Sequence, residues 1–316
     1  MEQHISVTDP IGSAIERVRQ VLFRPFDLGK WFTIGFCAWL AQLGENGSGG
    51  NFNFNGNSGR NNGDFHRQME HAHDFIVQNL YWILPLAIFI LAAGLAMWAV
   101  FLWLNCRGKF MFLHCVALNR ADVREPWHKY SDAANSLFWF RFVVGLIGMF
   151  LTLPFVILMG ILTFTMFLRD GWNVAGVMAL VGIGLGIVIL SIFFLLFRKL
   201  TKDFVVPIMY LRGTGCVEAW KEFLGMFGQN LGHFVLYLLF QIVLGIVIAV
   251  LVLFLFVITC CFACCLASIP YIGTVLLLPI IMFRRAYSLY YFAQYGPAYN
   301  VFPPTAPAPP APPPTY

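Results

Sequence analysis

The chain has 316 residues, of which 59% are hydrophobic and only 11% are charged, and its mean hydropathy is +0.74. Water-soluble globular domains carry about 25% charged residues, so this composition excludes that class. The formal net charge of +5 does not indicate a nucleic-acid partner, because the basic residues are distributed according to a membrane topology.

Six apolar stretches predict membrane-spanning helices. They lie near residues 28–44, 80–104, 137–164, 174–197, 234–258 and 271–291. The first stretch is short and requires thinning of the bilayer or snorkelling of Lys30. Pro85, Pro154 and Pro279 fall within predicted spans, where neighbouring helices can satisfy the freed carbonyl groups. The predicted fold class is therefore all-α, a polytopic membrane helix bundle with six transmembrane helices.

The lysines and arginines predict how this bundle is oriented. Of the 20 in the chain, only Arg60, Arg67 and Arg169 fall in segments assigned to the outer side. The positive-inside rule places segments rich in lysine and arginine in the cytoplasm. The sequence therefore predicts that both termini are cytoplasmic (N-in/C-in).

An amphipathic stretch precedes each odd-numbered span, and each even-numbered span ends in an aromatic exit segment. The amphipathic stretches open at Asp9-Pro10, at Glu125-Pro126 and near Thr214. The exit segments read GKFMFLHCVALNR (108–120), KDFVVPIMYLR (202–212) and MFRRAYSLYYF (282–292). This order predicts a transmembrane domain, 1–296, built from three parallel amphipathic-helix-plus-hairpin units, about 9–106, 107–202 and 203–296. The alternative is that any hairpin protein with interfacial helices has this pattern.

The amphipathic stretches are expected to lie on the cytoplasmic leaflet of the membrane. Trp31, Trp127 and Trp220 are the predicted interfacial anchors, because indole rings favour the headgroup level. The apolar face of the first stretch consists of Ile11, Ala14, Ile15, Val18, Val21 and Leu22. Parallel units also differ from the inverted repeats of many secondary transporters.

The first outer loop contains a candidate metal site. Residues 44–64 are rich in glycine and asparagine, which predicts disorder. The helix expected after them places His66, Glu70 and His73 on one face, at positions i, i+4 and i+7. These side-chain types bind metals; the alternative interpretation is a solvated face of a membrane-surface helix.

Four clustered cysteines, Cys260, Cys261, Cys264 and Cys265, lie at the outer end of the fifth predicted span. One helix cannot surround a single zinc ion with four thiolates, and the sequence has no second CxxC pair elsewhere. Three interpretations stay open at this point: small apolar residues packed in the membrane, a disulfide in an oxidising compartment, or a metal site.

The predicted spans contain almost no charged side chains, and Gln241 is the clearest deep polar residue. The run GIGLG (182–186) lies in the fourth span, where it indicates close helix packing rather than a phosphate loop. No carboxylate pair and no nucleophile with a neighbouring base supports an enzyme, and no cofactor is expected. The proline-rich tail, residues 297–316, predicts an extended, disordered cytoplasmic segment.

Several runs resemble an uncharacterised family of bacterial multi-pass membrane proteins of unknown function. They are RPFDLGKWFTIGFCAWLAQLG, the first two exit segments, and LLLPIIMFRRAYSLYYFAQYGPAYNVFP, and the resemblance covers most of residues 5–303. The chain is also similar, more distantly, to the membrane domain attached to bacterial glycerophosphodiester phosphodiesterases, whose activity belongs to a separate soluble domain. The resemblance therefore implies a bacterial inner membrane with a periplasm outside, and no catalytic residues.

The expected function is that of a non-enzymatic integral inner-membrane protein that organises or binds lipid or partner proteins through its cytoplasmic interfacial helices. The alternative is a transporter or channel for an apolar or amphipathic solute, such as a lipid. A continuous cavity through the bundle favours transport, whereas a sealed interior favours the organising role.

Overall fold

The computed structural model describes residues 5–44, 79–168, 173–259 and 269–303. Within these ranges every regular element is a helix and none is a strand. The first half contains α1 (Asp9–Val18, continued by a π turn, Arg19–Phe23), α2 (Leu28–Gln42), α3 (Leu80–Leu118), α4 (Arg124–Lys129) and α5 (Ser131–Leu168). The second half contains α6 (Val174–Leu200), a π turn (Thr201–Val205), α7 (Val206–Arg212), α8 (Cys216–Gln229), α9 (Leu231–Ile258), α10 (Pro270–Leu276), α11 (Leu278–Ala293) and a 3₁₀ turn (Pro297–Tyr299).

Among the described residues, four helices are long and apolar enough to cross a bilayer. They are Tyr81–Leu118, Ser131–Met166, Val174–Arg212 and Leu231–Leu255, with mean hydropathies of 2.4, 2.5, 2.9 and 3.1 in their most apolar windows. At most 6% of those windows is buried inside the protein, so these side chains face the surroundings. The second to fifth predicted spans thus correspond to long apolar helices, and the all-helical fold of the described residues is confirmed. The six-span count and the orientation stay predictions.

Helix α2, which covers the first predicted span, packs beside the polar end of α3. With 15 residues it is about 22 Å long, less than the roughly 30 Å of the hydrocarbon layer. At its start Lys30 Nζ donates a hydrogen bond to Asn119 Oδ1 (2.8 Å). At its end Asn105 Nδ2 donates to the carbonyl oxygens of Ala41 (2.7 Å) and Leu43 (2.9 Å). Helix α2 therefore lies along residues 105–119 of α3, beyond the predicted span 80–104.

The sixth predicted span is divided at Leu277 into α10 and α11. Pro279 lies in the first turn of α11 rather than inside one continuous helix, where its missing N–H costs no hydrogen bond. Helix α10 packs against α2, since a Cβ built on Gly35 would lie 2.7 Å from Val275 Cγ2. Most side chains of α11 are buried in the protein rather than exposed to lipid.

The three exit segments form the buried core of the described chain. Nearly every side chain of residues 110–117, 203–209 and 285–292 is buried. Phe204 occupies the middle of an aromatic cluster, with ring centroids 5.0 Å from Phe234, 5.2 Å from Tyr237 and 5.6 Å from Phe292. Helix α1 packs over α11, and α8 packs over the π turn that follows α6. The core therefore lies at the end of the bundle where the basic residues cluster.

The apolar face of α1 is directed into this core and not toward lipid. Ala14, Val18, Val21 and Leu22 are buried, whereas Ile15 is 55% exposed. The expectation that this face lies on the membrane is therefore wrong for most of its residues. The physical reason is that α11 offers α1 an apolar partner surface, and an apolar stripe alone does not reveal whether protein or lipid covers it.

Glycines bring α5 close to its neighbours, but the GIGLG run does not act in this way. Cβ atoms built on Gly145 and Gly148 would lie 3.0 Å from Trp98 and 3.2 Å from Phe194, which belong to α3 and α6. Cβ atoms built on Gly182 and Gly184 would meet no described atom within 4 Å, and one built on Gly186 would meet the Phe155 ring at 3.5 Å, an ordinary van der Waals contact. The close helix packing predicted for residues 182–186 is thus found at other glycines of the described chain.

Candidate functional site

A ring of four polar side chains joins α6 and its π turn to α9. Lys199 Nζ lies 3.1 Å from Asp203 Oδ2, and Tyr237 donates a hydrogen bond to the same oxygen (3.0 Å). Gln241 Nε2 donates to the Tyr237 hydroxyl (3.0 Å), and Lys199 Nζ donates to Gln241 Oε1 (3.4 Å). Each member bonds to two others, so the deep polar residue recognised in the sequence belongs to a closed network. A closed network stabilises helix packing and offers no free carboxylate to a solute.

The π turn places a charged residue and a main-chain acceptor in the core. In a π turn the hydrogen-bond register of the helix is interrupted, and main-chain carbonyl groups become available to side chains. Here Arg285 of α11 donates through Nη1 to the carbonyl oxygen of Lys202 (2.6 Å). Asp203 is only 7% exposed, and the positive charges of Lys199, Lys202 and Arg285 act on its carboxylate. The third exit segment is thereby tied to the second.

A second polar contact connects α5 to α2 and α3. Arg141 Nη1 donates to Asn105 Oδ1 (2.5 Å), and the amide of Asn105 in turn caps the last carbonyl groups of α2. A guanidinium close to the C-terminal end of a helix is stabilised by the helix dipole. Arg141 thus orients the residue that fixes the end of α2.

Arg17 performs a similar capping role for α3. Its Nε donates to the carbonyl oxygen of Val116 (3.0 Å), and its Nη2 donates to that of Ala117. Its guanidinium also lies over the Phe302 ring, 5.2 Å from the centroid. Burial lowers the pKa of Arg17, an effect opposed by Tyr290, but an arginine stays charged at any physiological pH. Helix α1 is therefore fixed to α3 as well as to α11.

The three predicted tryptophan anchors all make contacts within the protein. Trp31 Nε1 donates to the carbonyl oxygen of Val275 (3.0 Å). The Trp127 ring lies 4.7 Å from the guanidinium carbon of Arg107. Trp220 is only 8% exposed and stacks on Phe197 at 4.6 Å. Trp31 and Trp127 remain half-buried, and the anchoring role of all three residues stays a prediction.

The segment that joins α1 to α2 exposes aromatic rings, most of which the sequence analysis did not single out. We call residues 23–32 the elbow. Phe23, Phe26 and Phe32 are 48%, 57% and 46% exposed. Phe23 and Phe26 pack edge-on against Trp31, at 5.4 and 5.6 Å. The run RPFDLGKW contained this signal, because aromatic residues next to arginine and lysine are typical of a membrane interface.

A family model described as a family of unknown function (DUF7544) matches residues 5–279. The chain belongs to DUF7544. No curated protein and no solved structure matches the chain. Nothing links DUF7544 to the membrane domains associated with glycerophosphodiester phosphodiesterases, so that more distant resemblance is not supported. The match ends before the buried third exit segment of this DUF7544 chain, although that segment completes its core.

Scattered cysteines of the DUF7544 chain meet in space, which the sequence did not indicate. Cys37 of α2 and Cys115 of α3 are fully buried, and their Sγ atoms lie 3.9 Å apart. Burial, together with the nearby Cys106 thiol, raises the pKa of Cys216 to about 12. The Cys216 thiol is thus protonated at neutral pH. Cys37 and Cys115 lie 78 residues apart in the chain, so no local spacing could have paired them.

Several predicted sites lie outside the residues that the structure describes. They are the candidate metal residues His66, Glu70 and His73, the cysteines Cys260, Cys261, Cys264 and Cys265, most of the Gly/Asn-rich loop, and the tail from residue 304. These predictions stand as the sequence made them. Among the described residues, no group of three or more His, Cys, Asp or Glu side chains is arranged to hold a metal ion.

Proposed function

We propose that the chain is a non-enzymatic integral protein of the bacterial inner membrane that binds and organises lipid at the cytoplasmic leaflet. The observation that carries this proposal is the contrast between interior and surface. In the interior, the Lys199–Asp203 pair is closed by Tyr237 and Gln241. On the surface, the spans are apolar and the elbow presents aromatic rings beside cations. A lipid-organising protein needs such a surface and needs no reactive group inside.

The proposed topology has six membrane segments and both termini in the cytoplasm. The distribution of lysines and arginines supports this orientation. A contact between the two ends of the chain also supports it: Ser6 N donates to Gln294 Oε1 (2.8 Å), and Gln294 Nε2 donates to the carbonyl oxygen of Ser6 (2.9 Å). Residues joined in this way lie on the same side of a membrane. Four of the segments are the long apolar helices. The other two, residues 28–44 and 271–291, form shorter or divided helices, so in the proposed topology they depend on packing against the long helices.

Reporter fusions test this topology. Alkaline phosphatase, which folds only outside the cytoplasm, should be active when inserted after Ser58 and inactive when fused after Tyr316. Green fluorescent protein should give the opposite pattern, with fluorescence at the C-terminus only. Phosphatase activity at the C-terminus would reverse the orientation and, with it, the assignment of the elbow to the cytoplasmic leaflet.

Lipid retention tests the function. We expect the protein, extracted from bilayers of phosphatidylcholine and phosphatidylglycerol, to retain phosphatidylglycerol in native mass spectrometry. We also expect a higher melting temperature with phosphatidylglycerol than with phosphatidylcholine alone, because a ligand that binds only the folded state stabilises that state. Loss of all lipid on extraction, together with equal melting temperatures, would reject the lipid-organising role.

The alternative, a transporter or channel for an amphipathic solute, has weaker support. The cytoplasmic end of a transport path would have to cross the core formed by the exit segments, where the side chains of residues 110–117 and 203–209 are buried. The closed ring around Asp203 lies at the same level. Flux of a fluorescent lipid or an amphipathic dye through proteoliposomes, absent from protein-free vesicles, would favour this alternative.

A further inference from the structure

We propose that the elbow is a binding site for the phosphate headgroup of an anionic phospholipid in the cytoplasmic leaflet. Arg24 and Lys30 contact the phosphate. The exposed phenylalanines of the elbow enter the region where headgroups meet acyl chains. This inference rests on the proposed function and adds to it a location and a class of lipid.

The aromatic half of the site has the geometry of a membrane-facing surface. Phe26 is 57% exposed and Leu28 is 60% exposed, next to the half-buried ring of Trp31. With Phe23 and Phe32, the elbow exposes four large apolar side chains within ten residues. Such a group would be costly in water, but it is favourable at the boundary between headgroups and acyl chains. The exposed aromatic surface of the elbow continues along α2, where the ring centroid of Phe32 lies 6.2 Å from that of Tyr271. Its continuity with α2 favours a bilayer over a separate protein partner.

The cationic half of the site is held in place by the fold. The Lys30 ammonium is fixed by Asn119 Oδ1, and Asn119 has a left-handed backbone (φ 57°) at the C-terminal end of α3. Arg120 follows directly, and the exposed Arg24 precedes the start of α2. The one carboxylate in the elbow, Asp27, accepts a hydrogen bond from the backbone N–H of Gly29 (2.8 Å). Cations thus outnumber carboxylates here, which complements a phosphate anion.

The elbow also lies at the right depth for a headgroup. It adjoins the end of α3 through the Lys30–Asn119 contact, and the opposite end of α3 carries the exposed Trp82 (74%). From residue 82 to residue 118 an α-helix extends about 54 Å. A bilayer with its headgroup layers is about 40–45 Å thick, so α3 reaches from one headgroup layer to the other when it is tilted by about 35–40°, at the upper end of the range for membrane helices. One end then places Trp82 in the outer layer, and the other places the elbow in the inner layer.

The test compares charge variants of the full-length protein in nanodiscs. We expect Arg24→Gln to lower phosphatidylglycerol retention about five-fold, since one cation near an anionic membrane surface contributes roughly 1 kcal/mol. Arg24→Lys should retain most of the binding. Lys221→Gln is the control, because Lys221 is an exposed cation on α8 and not part of the elbow, and this change should lower retention much less than Arg24→Gln. Melting temperatures in phosphatidylcholine alone, equal to that of the wild type, verify that each variant folds.

The possible outcomes separate failure of the elbow as a binding site from failure of the lipid-organising function. If the wild type prefers phosphatidylglycerol and Arg24→Gln retains it equally well, the elbow is not the site, and the lipid-organising function stands. If the wild type shows no preference, the function fails together with the site. If soluble glycerol phosphate stabilises the detergent-solubilised wild type as strongly as the lipid does, the site takes a small phosphate ester, and the lipid assignment is overturned.

Discussion

Replacing Asp203 with alanine is expected to lower the free energy of unfolding by about 3 kcal/mol, at the lower end of the range for breaking a buried ion pair. The substitution leaves the Lys199 ammonium without its partner at 3.1 Å and the Tyr237 hydroxyl without an acceptor. The lower end applies because the Lys199 side chain is 30% exposed and keeps some contact with solvent or lipid headgroups. Equilibrium unfolding in mixed detergent micelles, followed by circular dichroism, measures the loss.

The chain contains a matched control for this change. The pair between Arg212 and Glu222 has a shorter distance, 2.6 Å, but its side chains are 43% and 26% exposed. Exposed pairs contribute at most about 1 kcal/mol, so Glu222→Ala should have a small effect. The double variant Lys199→Met with Asp203→Leu should recover much of the stability, because apolar residues of similar size often replace a buried pair at little cost. Equal losses for Asp203→Ala and Glu222→Ala would contradict the structural role of the ring.

Replacing Gly108 with leucine is expected to destabilise the protein by about 3 kcal/mol or more, because overpacking against main-chain atoms cannot relax through a rotamer change. A Cβ at position 108 would lie 2.5 Å from both the Ala41 nitrogen and the Leu40 carbonyl carbon. Helix α2 would have to separate from α3, and the Asn105 hydrogen bonds to the end of α2 would break. The measurement is the same unfolding experiment, combined with proteolysis of α2.

Gly94 provides the comparison on the same helix. A Cβ built there meets no described atom within 4 Å, and position 94 lies in the apolar, exposed part of α3. Gly94→Leu should therefore be neutral or slightly stabilising, since leucine favours both helix and lipid. If Gly108→Leu were tolerated as well as Gly94→Leu, α2 would not pack along residues 105–119, and the account of the first predicted span would be wrong.

The four long helices could be predicted because hydropathy over about 20 residues is a local property. Any segment as apolar as residues 174–197 or 234–258 forms its backbone hydrogen bonds internally once it is in lipid, whatever lies beside it. Membership of a family of unknown function could also be expected from such local runs of sequence. Gln241 could also be recognised as a residue that needs a partner, although the sequence did not identify the partner.

Tertiary structure alone decided what covers each apolar surface. The stripe of α1, the last predicted span and the exit segments all had compositions compatible with lipid contact, yet Val18, Phe204 and Tyr287 are buried among protein side chains. The partners of Gly108 and of Cys37 lie more than 60 residues away in the chain, and no spacing rule connects them. Burial depends on which surfaces meet after folding, and the bilayer and a protein core attract the same side chains. The sequence by itself therefore determined that this chain forms helices long and apolar enough to cross a membrane. Only the packing of those helices determined that the elbow, rather than the amphipathic face of α1, is left exposed.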